Sequence, residues 1–298
     1  MKVKMTSASS TVTWSDAAVV AIAPSSTSVA ASRAAGWVGW AGTVESYPLC
    51  THGADAILRI GVAPSAACGR LGHLHAGSVW NGAVQLAQLI EGGFLRERLR
   101  GCTVLELGAG AGLPSLVALA AHPADAPRCV VLTDFDDAEL VCAMEENLVR
   151  NAPLLSRQTA RVVGFTWGED PARVLEAAAE LDGTQRDEDR GYDIVLVADC
   201  LWNSEPYEGL LQALRSVLRP SGEVWMAHCH HWPGHDADDR LFFGRAAALG
   251  LRVERWEEET GRRFGCLFED DEDQECFVHR LSFADRAGEP RRIPQDVL

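Results

Sequence analysis

The chain has 298 residues, of which 27 are Lys or Arg and 42 are Asp or Glu, giving a formal charge of −15 at pH 7. This acidic surplus excludes a cationic nucleic-acid binder, and a hydrophobic content of 47% excludes a chain too polar to build a core. No run of about 18 apolar residues occurs, so no membrane-spanning helix is expected. Nine scattered cysteines without a Cys-x-x-Cys pair predict reduced, mostly buried thiols rather than a disulfide framework or a zinc ribbon.

Residues 1–35 are rich in Ser, Thr and Ala, carry only Asp16 as an acid, and read as a disordered lead. Lys2 and Lys4 before the apolar run Ala17 to Ala23 raise a targeting segment as the alternative, but Asp16 abuts that run and no cleavage signature follows, so a cytoplasmic location is the default expectation. Residues 36–100 read as an N-terminal extension packed on the core, with a short strand over Ala56 to Val62 and a helix over Ser78 to Ile90.

From Gly101 the pattern alternates short β-branched runs with helical periods, as a parallel sheet covered on both faces by helices requires. Strands are expected at Thr103 to Leu107, Cys129 to Thr133, Arg161 to Phe165, Asp193 to Ala198 and Glu223 to Ala227. In Asp137 to Arg150 the apolar residues Leu140, Val141, Met144 and Leu148 share one stripe; Leu210, Leu211, Leu214, Val217 and Leu218 do so further on. A helix over Asp238 to Leu249 leads to two last strands, Leu251 to Trp256 and Glu275 to Phe283, whose short connection suits antiparallel pairing. The expectation is an α/β domain over residues 101–286 with seven strands, mostly parallel with an antiparallel last strand, then a tail over 287–298.

The chemistry concentrates in Val104-Leu105-Glu106-Leu107-Gly108-Ala109-Gly110-Ala111-Gly112-Leu113-Pro114, at a strand-to-helix junction. Glycines at 108, 110 and 112 let the backbone turn sharply and approach a ligand, and the following helix start offers unpaired N–H groups. A dinucleotide fingerprint needs its third Gly where Leu113 stands, so the spacing departs from G-x-G-x-x-G. Asp134 ends the second strand, where a carboxylate can accept from two ribose hydroxyls, with Asp136 or Asp137 available to cap the next helix. Asp199 to Asn203 end the fourth strand, at the edge where open α/β sheets bind ligands. The run His228-Cys229-His230-His231-Trp232-Pro233-Gly234-His235 contains zinc-ligand types, but no second ligand cluster is visible and neighbouring residues rarely close one tetrahedron; no metal is expected. Acidic runs at Glu257 to Glu259 and Glu269 to Glu275 read as solvated surface, or as a steering field for a basic partner.

Six stretches in order, Ser78-Val79-Trp80-Asn81-Gly82-Ala83, Leu105 to Pro114, Thr133-Asp134-Phe135, Glu146-Asn147, Phe165-Thr166-Trp167-Gly168 and Asp199-Cys200-Leu201-Trp202-Asn203, resemble the lysine methyltransferase-like group that includes the nicotinamide N-methyltransferase-like proteins. The likeness covers about residues 56 to 283. It is strongest to the branch that methylates translation elongation factor 1-alpha at its N-terminus and a nearby lysine. It implies a Rossmann-like seven-stranded methyltransferase sheet and S-adenosylmethionine as cofactor. By resemblance, Trp80 lies beside the methionine part, Glu106, Gly108, Gly110 and Gly112 form the cradle, and Asp134 holds the ribose. Trp167 lies by the adenine, and Ala198 completes the cofactor wall. The catalytic set would be Asp199, holding the incoming amine, with Trp202 walling the channel and Asn203 beside it. The resembled pattern is Asp-x-x-Tyr or Asp-x-x-Phe, whereas here the aromatic is Trp202, which bears on the acceptor's identity.

Methyl transfer to nitrogen needs a neutral lone pair. An exposed lysine has a pKa of about 10.4 and an N-terminal amine about 7.7–8.0, so desolvation by an aromatic pocket and in-line positioning do most of what is required. The expected partner is a protein, with the chain acting as a monomer and without nucleic acid or membrane. A small-molecule N-methyltransferase, a non-catalytic module on the same fold and a nicotinamide-dependent oxidoreductase are the alternatives.

Overall fold

A computed structural model describes residues 10–12, 44–49, 56–62, 78–155, 159–183, 190–230, 236–256 and 276–284. The lead other than Ser10–Val12, residues 231–235 of the His-rich run, both acidic runs and the 287–298 tail lie outside the described residues.

Ten strands and seven α-helices follow in chain order among the described residues: β1 (Ser10–Val12), β2 (Val44–Pro48), β3 (Ile57–Gly61), α1 (Asn81–Glu91), α2 (Phe94–Leu99), β4 (Thr103–Leu107), α3 (Leu113–Ala120), β5 (Cys129–Asp134), α4 (Ala138–Asn151), β6 (Thr159–Gly164), α5 (Ala172–Asp182), β7 (Tyr192–Ala198), α6 (Tyr207–Val217), β8 (Leu218–Cys229), α7 (Asp236–Ala248), β9 (Leu251–Arg255) and β10 (Cys276–Phe283). The main sheet runs β1-β6-β5-β4-β7-β8-β10-β9. β6, β5, β4, β7 and β8 are parallel, and β10 is antiparallel to both β8 and β9. The seven expected strands are all present. Ser10–Val12 adds an eighth, antiparallel to β6, so these three residues of the supposed lead are extended and paired.

β4 is buried on both faces, so its side chains alternate between two cores. Val104, with Val130, Leu132, Ile194, Leu196, Trp225 and Ala227, faces α1, α3, α4 and the β2–β3 hairpin. Leu105, with Val131, Val195, Val197, Val224 and Met226, faces α5, α6 and α7. The winding reverses at β4: the chain continues to β5 on one side and returns to β7 on the other, which opens a crevice beyond the carboxyl end of β4.

Two strand ends and one pairing differ from expectation for local reasons. β6 ends at Gly164, paired with Asp134, so Phe165 turns off the sheet instead of closing the strand. β8 starts at Leu218, where Tyr192 of β7 pairs with it, and ends at Cys229, as far as β10 pairs along it. β3 is half of a hairpin with β2 that the sequence pattern did not reveal.

The free edge of that hairpin is held by asparagines. Asn147 and Asn151 sit one turn apart on α4. Asn147 Oδ1 accepts from Gly61 N at 2.8 Å, and its Nδ2 donates to Gly61 O at 2.7 Å and to Ala111 O at 3.0 Å. Asn151 repeats this with Arg59, accepting from its N at 2.8 Å and donating to its O at 3.0 Å. Two amide side chains thus act as a missing strand for β3, and Asn147 also fastens the loop after β4.

Asn147 is 1% exposed. Replacing it by Ala strands buried peptide groups of Gly61 and Ala111, and Asn147→Ala is expected to lower stability by about 2–3 kcal/mol in urea denaturation. A loss below about 0.5 kcal/mol, within the range of a surface change, would show that the hairpin is held elsewhere.

Candidate active site

At the carboxyl ends of β4, β5 and β7 lies a cavity of about 390 Å³, within the size range of small-molecule sites. Trp80, Gly108, Gly110, Gly112, Asp134, Trp167, Ala198, Asp199, Trp202 and Asn203, all singled out from the sequence, line it. Glu106 does not.

Gly108, Gly110 and Gly112 have φ of 66°, 53° and 77°, the left-handed region. At Gly108 the space is also closed to a side chain: a Cβ there would lie 2.6 Å from Cys200 Sγ and 2.9 Å from Trp167 Cζ2. Glycine is therefore required both by the turn and by the close approach of the neighbouring side chains.

Asp134 reaches across from β5. Its Oδ2 accepts from Gly110 N at 2.6 Å and its Oδ1 from Phe135 N at 2.7 Å. Burial holds its carboxyl above the usual carboxylate range, against the lowering effect of those two amides. The following helix α4 is capped by Asp137, whose Oδ1 accepts from Glu139 N at 2.9 Å, so Asp134 is spared that role.

Glu106 corrects one sequence expectation. It is fully buried beneath the glycine loop, and its Oε2 accepts from Ser115 N at 3.0 Å. The N-cap of α3 is Gly112, which has no side chain, so Glu106 caps that helix from the adjoining strand. It shapes the cradle from below and does not reach the cavity. With Oε1 lacking a hydrogen-bond partner, burial pushes its carboxyl up to about 8.

Asp199 lines the cavity and is also tied to backbone. It is 5% exposed, and it is the one non-glycine residue with positive φ, 48°, among the described residues. Its Oδ2 accepts from Gly82 N at 2.5 Å and its Oδ1 from Cys229 N at 2.8 Å. A Cβ at Gly82 would lie 2.8 Å from that Oδ2 and 2.7 Å from Ala227 O, so only glycine lets α1 approach. Trp80, the N-cap of α1, makes no side-chain cap, and Asp199 takes an orphan amide of that helix instead. Each carboxylate oxygen is already engaged by backbone. Asp199 is thus a strut that fixes Trp80 and the end of β8, with lone pairs left over on the side where it lines the cavity.

Asn203 Oδ1 accepts from Glu205 N at 3.1 Å, turning the chain ahead of α6. Phe135, Phe165 and Glu205 also line the cavity, and the sequence reading gave them no role. Phe135 was legible only as the residue after Asp134. It is 38% exposed and Trp80 36%, and Ser78 and Glu205 are exposed, so the cavity opens to the surface between residues 78–80 and 203–206. The lining holds Asp134, Asp199 and Glu205 and no Lys or Arg. Aromatic faces with acidic groups and no competing cation make a site for a positively charged ligand.

A family model described as lysine methyltransferase matches residues 70–247. The protein N-terminal and lysine N-methyltransferase efm7 of Schizosaccharomyces pombe is 31% identical over 188 residues, 62% of this chain and 68% of its own. Its namesake in Neurospora crassa is 33% identical over 210 residues, 67% of this chain and 70% of its own. That of Eremothecium gossypii is 35% identical over 206 residues, 67% and 69%.

The buried Glu106 makes stability pH-dependent. Its folded pKa of about 8 exceeds the 4.5 of an exposed glutamate, so between these values the folded chain keeps a proton that the unfolded chain releases. Its contribution is full below pH 4.5 and is lost as the pH rises to about 8. Thermal unfolding of wild type and Glu106→Gln at pH values across that window should show the wild type losing ground to the variant as pH rises. A constant difference would mean that Glu106 is ionised throughout.

Proposed function

The chain belongs to the lysine methyltransferase family and is an S-adenosylmethionine-dependent methyltransferase, and from that premise we propose that it methylates the N-terminal amine and a lysine of translation elongation factor 1-alpha. The observation that carries an amine acceptor is the cavity lining: aromatic walls and acidic groups, no Lys or Arg, and an opening to the surface. The protein as acceptor is supported by relatives named for N-terminal and lysine methylation and by the mouth at residues 78–80 and 203–206, through which a peptide end or a lysine side chain can reach in from a large partner. The elongation factor itself rests on the likeness of the six motifs. The −15 charge suits a basic partner, and nine scattered cysteines without a Cys-x-x-Cys pair suit a reducing compartment, the cytoplasm. We take the enzyme to act as a monomer.

The residues fit the cofactor. The glycine loop leaves backbone where a side chain would intrude, and a lining without Lys or Arg suits a sulfonium cation. Asp134 would hold the ribose hydroxyls through lone pairs its two amides leave over, Trp167 would lie against the adenine, Trp80 beside the methionine part, and Ala198 along the wall. When bound, S-adenosylmethionine supplies an electrophilic methyl group. The chain's part is to present a neutral amine. Glu205, exposed at the mouth, attracts the protonated amine. Trp202 and Trp80 strip its water, and desolvation lowers its pKa so that the proton leaves to solvent through the mouth. Asp199 holds Trp80 in place by binding the start of α1. No strong general base is needed.

The test is transfer of labelled methyl to purified elongation factor 1-alpha and, in parallel, to nicotinamide. Label is expected on the protein, at its N-terminus and a lysine by mass spectrometry. Label on nicotinamide alone would move the assignment to small-molecule chemistry. Asp134→Ala should weaken cofactor binding by about 10–100-fold, the loss of charge-assisted hydrogen bonds worth about 1.5–3 kcal/mol. Trp202→Ala should lower kcat/KM for the protein by at least about tenfold while leaving cofactor affinity within about threefold.

A further inference from the structure

His228 and His230 leave the end of β8 on one side because strand side chains alternate, while Cys229 between them points into the opposite core. α7 brings Asp239 against the pair: its Oδ2 lies 3.2 Å from His228 Nδ1 and 2.9 Å from His230 Nε2, and one ligand atom from each of the three falls within 4.8 Å of the others. Asp239 is 4% exposed and His228 2%. Yet neither Asp239 oxygen nor His228 Nδ1 has a hydrogen-bond partner. These atoms are close without being arranged as donor and acceptor.

That spacing is the one two ligands of a single ion have, since bonds of about 2.0–2.1 Å set tetrahedral neighbours about 3.3 Å apart. Asp239 shares the buried side of α7 with Phe242, and Phe243 and Phe277 lie tilted against the imidazoles; a charge buried there has to be met by a cation, which an ion shared with both imidazoles would supply. His228 Nε2 meets His279 Nδ1 at 3.3 Å, so its outer N–H can be donated there while Nδ1 keeps its lone pair for a metal, the usual support for an imidazole ligand. His230, whose side chain is 34% exposed, leaves an entry path and room for water as the fourth ligand. We propose that His228, His230 and Asp239 form a divalent transition-metal site of the zinc class that pins the end of β8 to the first turn of α7. The role is structural: Asp199 holds the intervening Cys229 amide from the other side, so the ion and the strut together fix the strand end beside the cavity.

The experiment uses the full chain without a polyhistidine tag, stripped by chelator and titrated with Co²⁺ as an optical probe. Visible d–d bands of tetrahedral Co²⁺ should saturate at one ion per chain and vanish when Zn²⁺ is added. His230→Gln, at the exposed rim, should weaken binding by at least about tenfold, and Asp239→Asn should abolish it. Zn²⁺ should raise the Tm of the wild type and not that of His230→Gln. If Asp239→Asn does not fold, His230→Gln decides. The proposal is overturned if the wild type shows no d–d bands, if His230→Gln binds as tightly as the wild type, or if a strong sulfur-to-cobalt band shows that cysteines hold the ion.

Discussion

Backbone amides at the carboxyl edge of the sheet have to be satisfied without filling the space above them. Three neighbouring strands solve this in the same way, each with one acidic side chain. Glu106 of β4 takes Ser115 N at the start of α3, Asp134 of β5 takes Gly110 N and Phe135 N, and Asp199, just after β7, takes Gly82 N and Cys229 N. A carboxylate has several lone pairs and no hydrogen, so it can accept from two amides that no backbone carbonyl could reach together. The loop, both helix starts and the end of β8 are thereby tied to the sheet, and the cavity stays open above them.

The arrangement places carboxyl groups where water is scarce. Burial raises the carboxyls of Glu106 and Asp134, and Asp134 itself raises that of Glu106. Glu106 meets that penalty by keeping its proton up to about pH 8, so the acids that face a cationic ligand are those of the lining, Asp134, Asp199 and Glu205. A cationic ligand bound among those acids stabilises the folded chain that presents them, so affinity and fold stability are linked. Trp202 suits this economy of groups. An indole wall desolvates an amine without adding an oxygen, which the Tyr of the resembled pattern would bring.

What was legible in the sequence follows from which interactions are local. β4 and its glycine loop were readable because a fully buried parallel strand is apolar throughout and the turn demands glycine within a few residues. The β2–β3 hairpin was not, since its edge is satisfied by Asn147 and Asn151, about ninety residues along the chain. α2 has six residues and two arginines in its last turn, too short for a period to emerge. Asp199 stands in the expected place, but its partners Gly82 and Cys229 come from two other elements, and nothing in Asp199 to Asn203 announces them. Glu106 was misplaced for the same reason, because a strand residue's facing direction depends on which core its neighbours build.

The His-rich run shows how far such a reading can go. Period-two spacing set His228 and His230 on one face of a strand, which the sequence contains, but the third group lies on a helix whose apolar stripe is only Phe242 and Ala246. Asp239 occupies the next position on that stripe, where a hydrophobic residue would serve α7 better. A buried acid in place of an apolar contact costs stability unless something positive meets it, and two imidazoles at ligand spacing are what the end of β8 presents. The same strand end carries the amide that Asp199 binds. Three consecutive residues at the end of β8 thus meet acids from two distant parts of the chain, Cys229 through its amide with Asp199 and the two imidazoles beside Asp239.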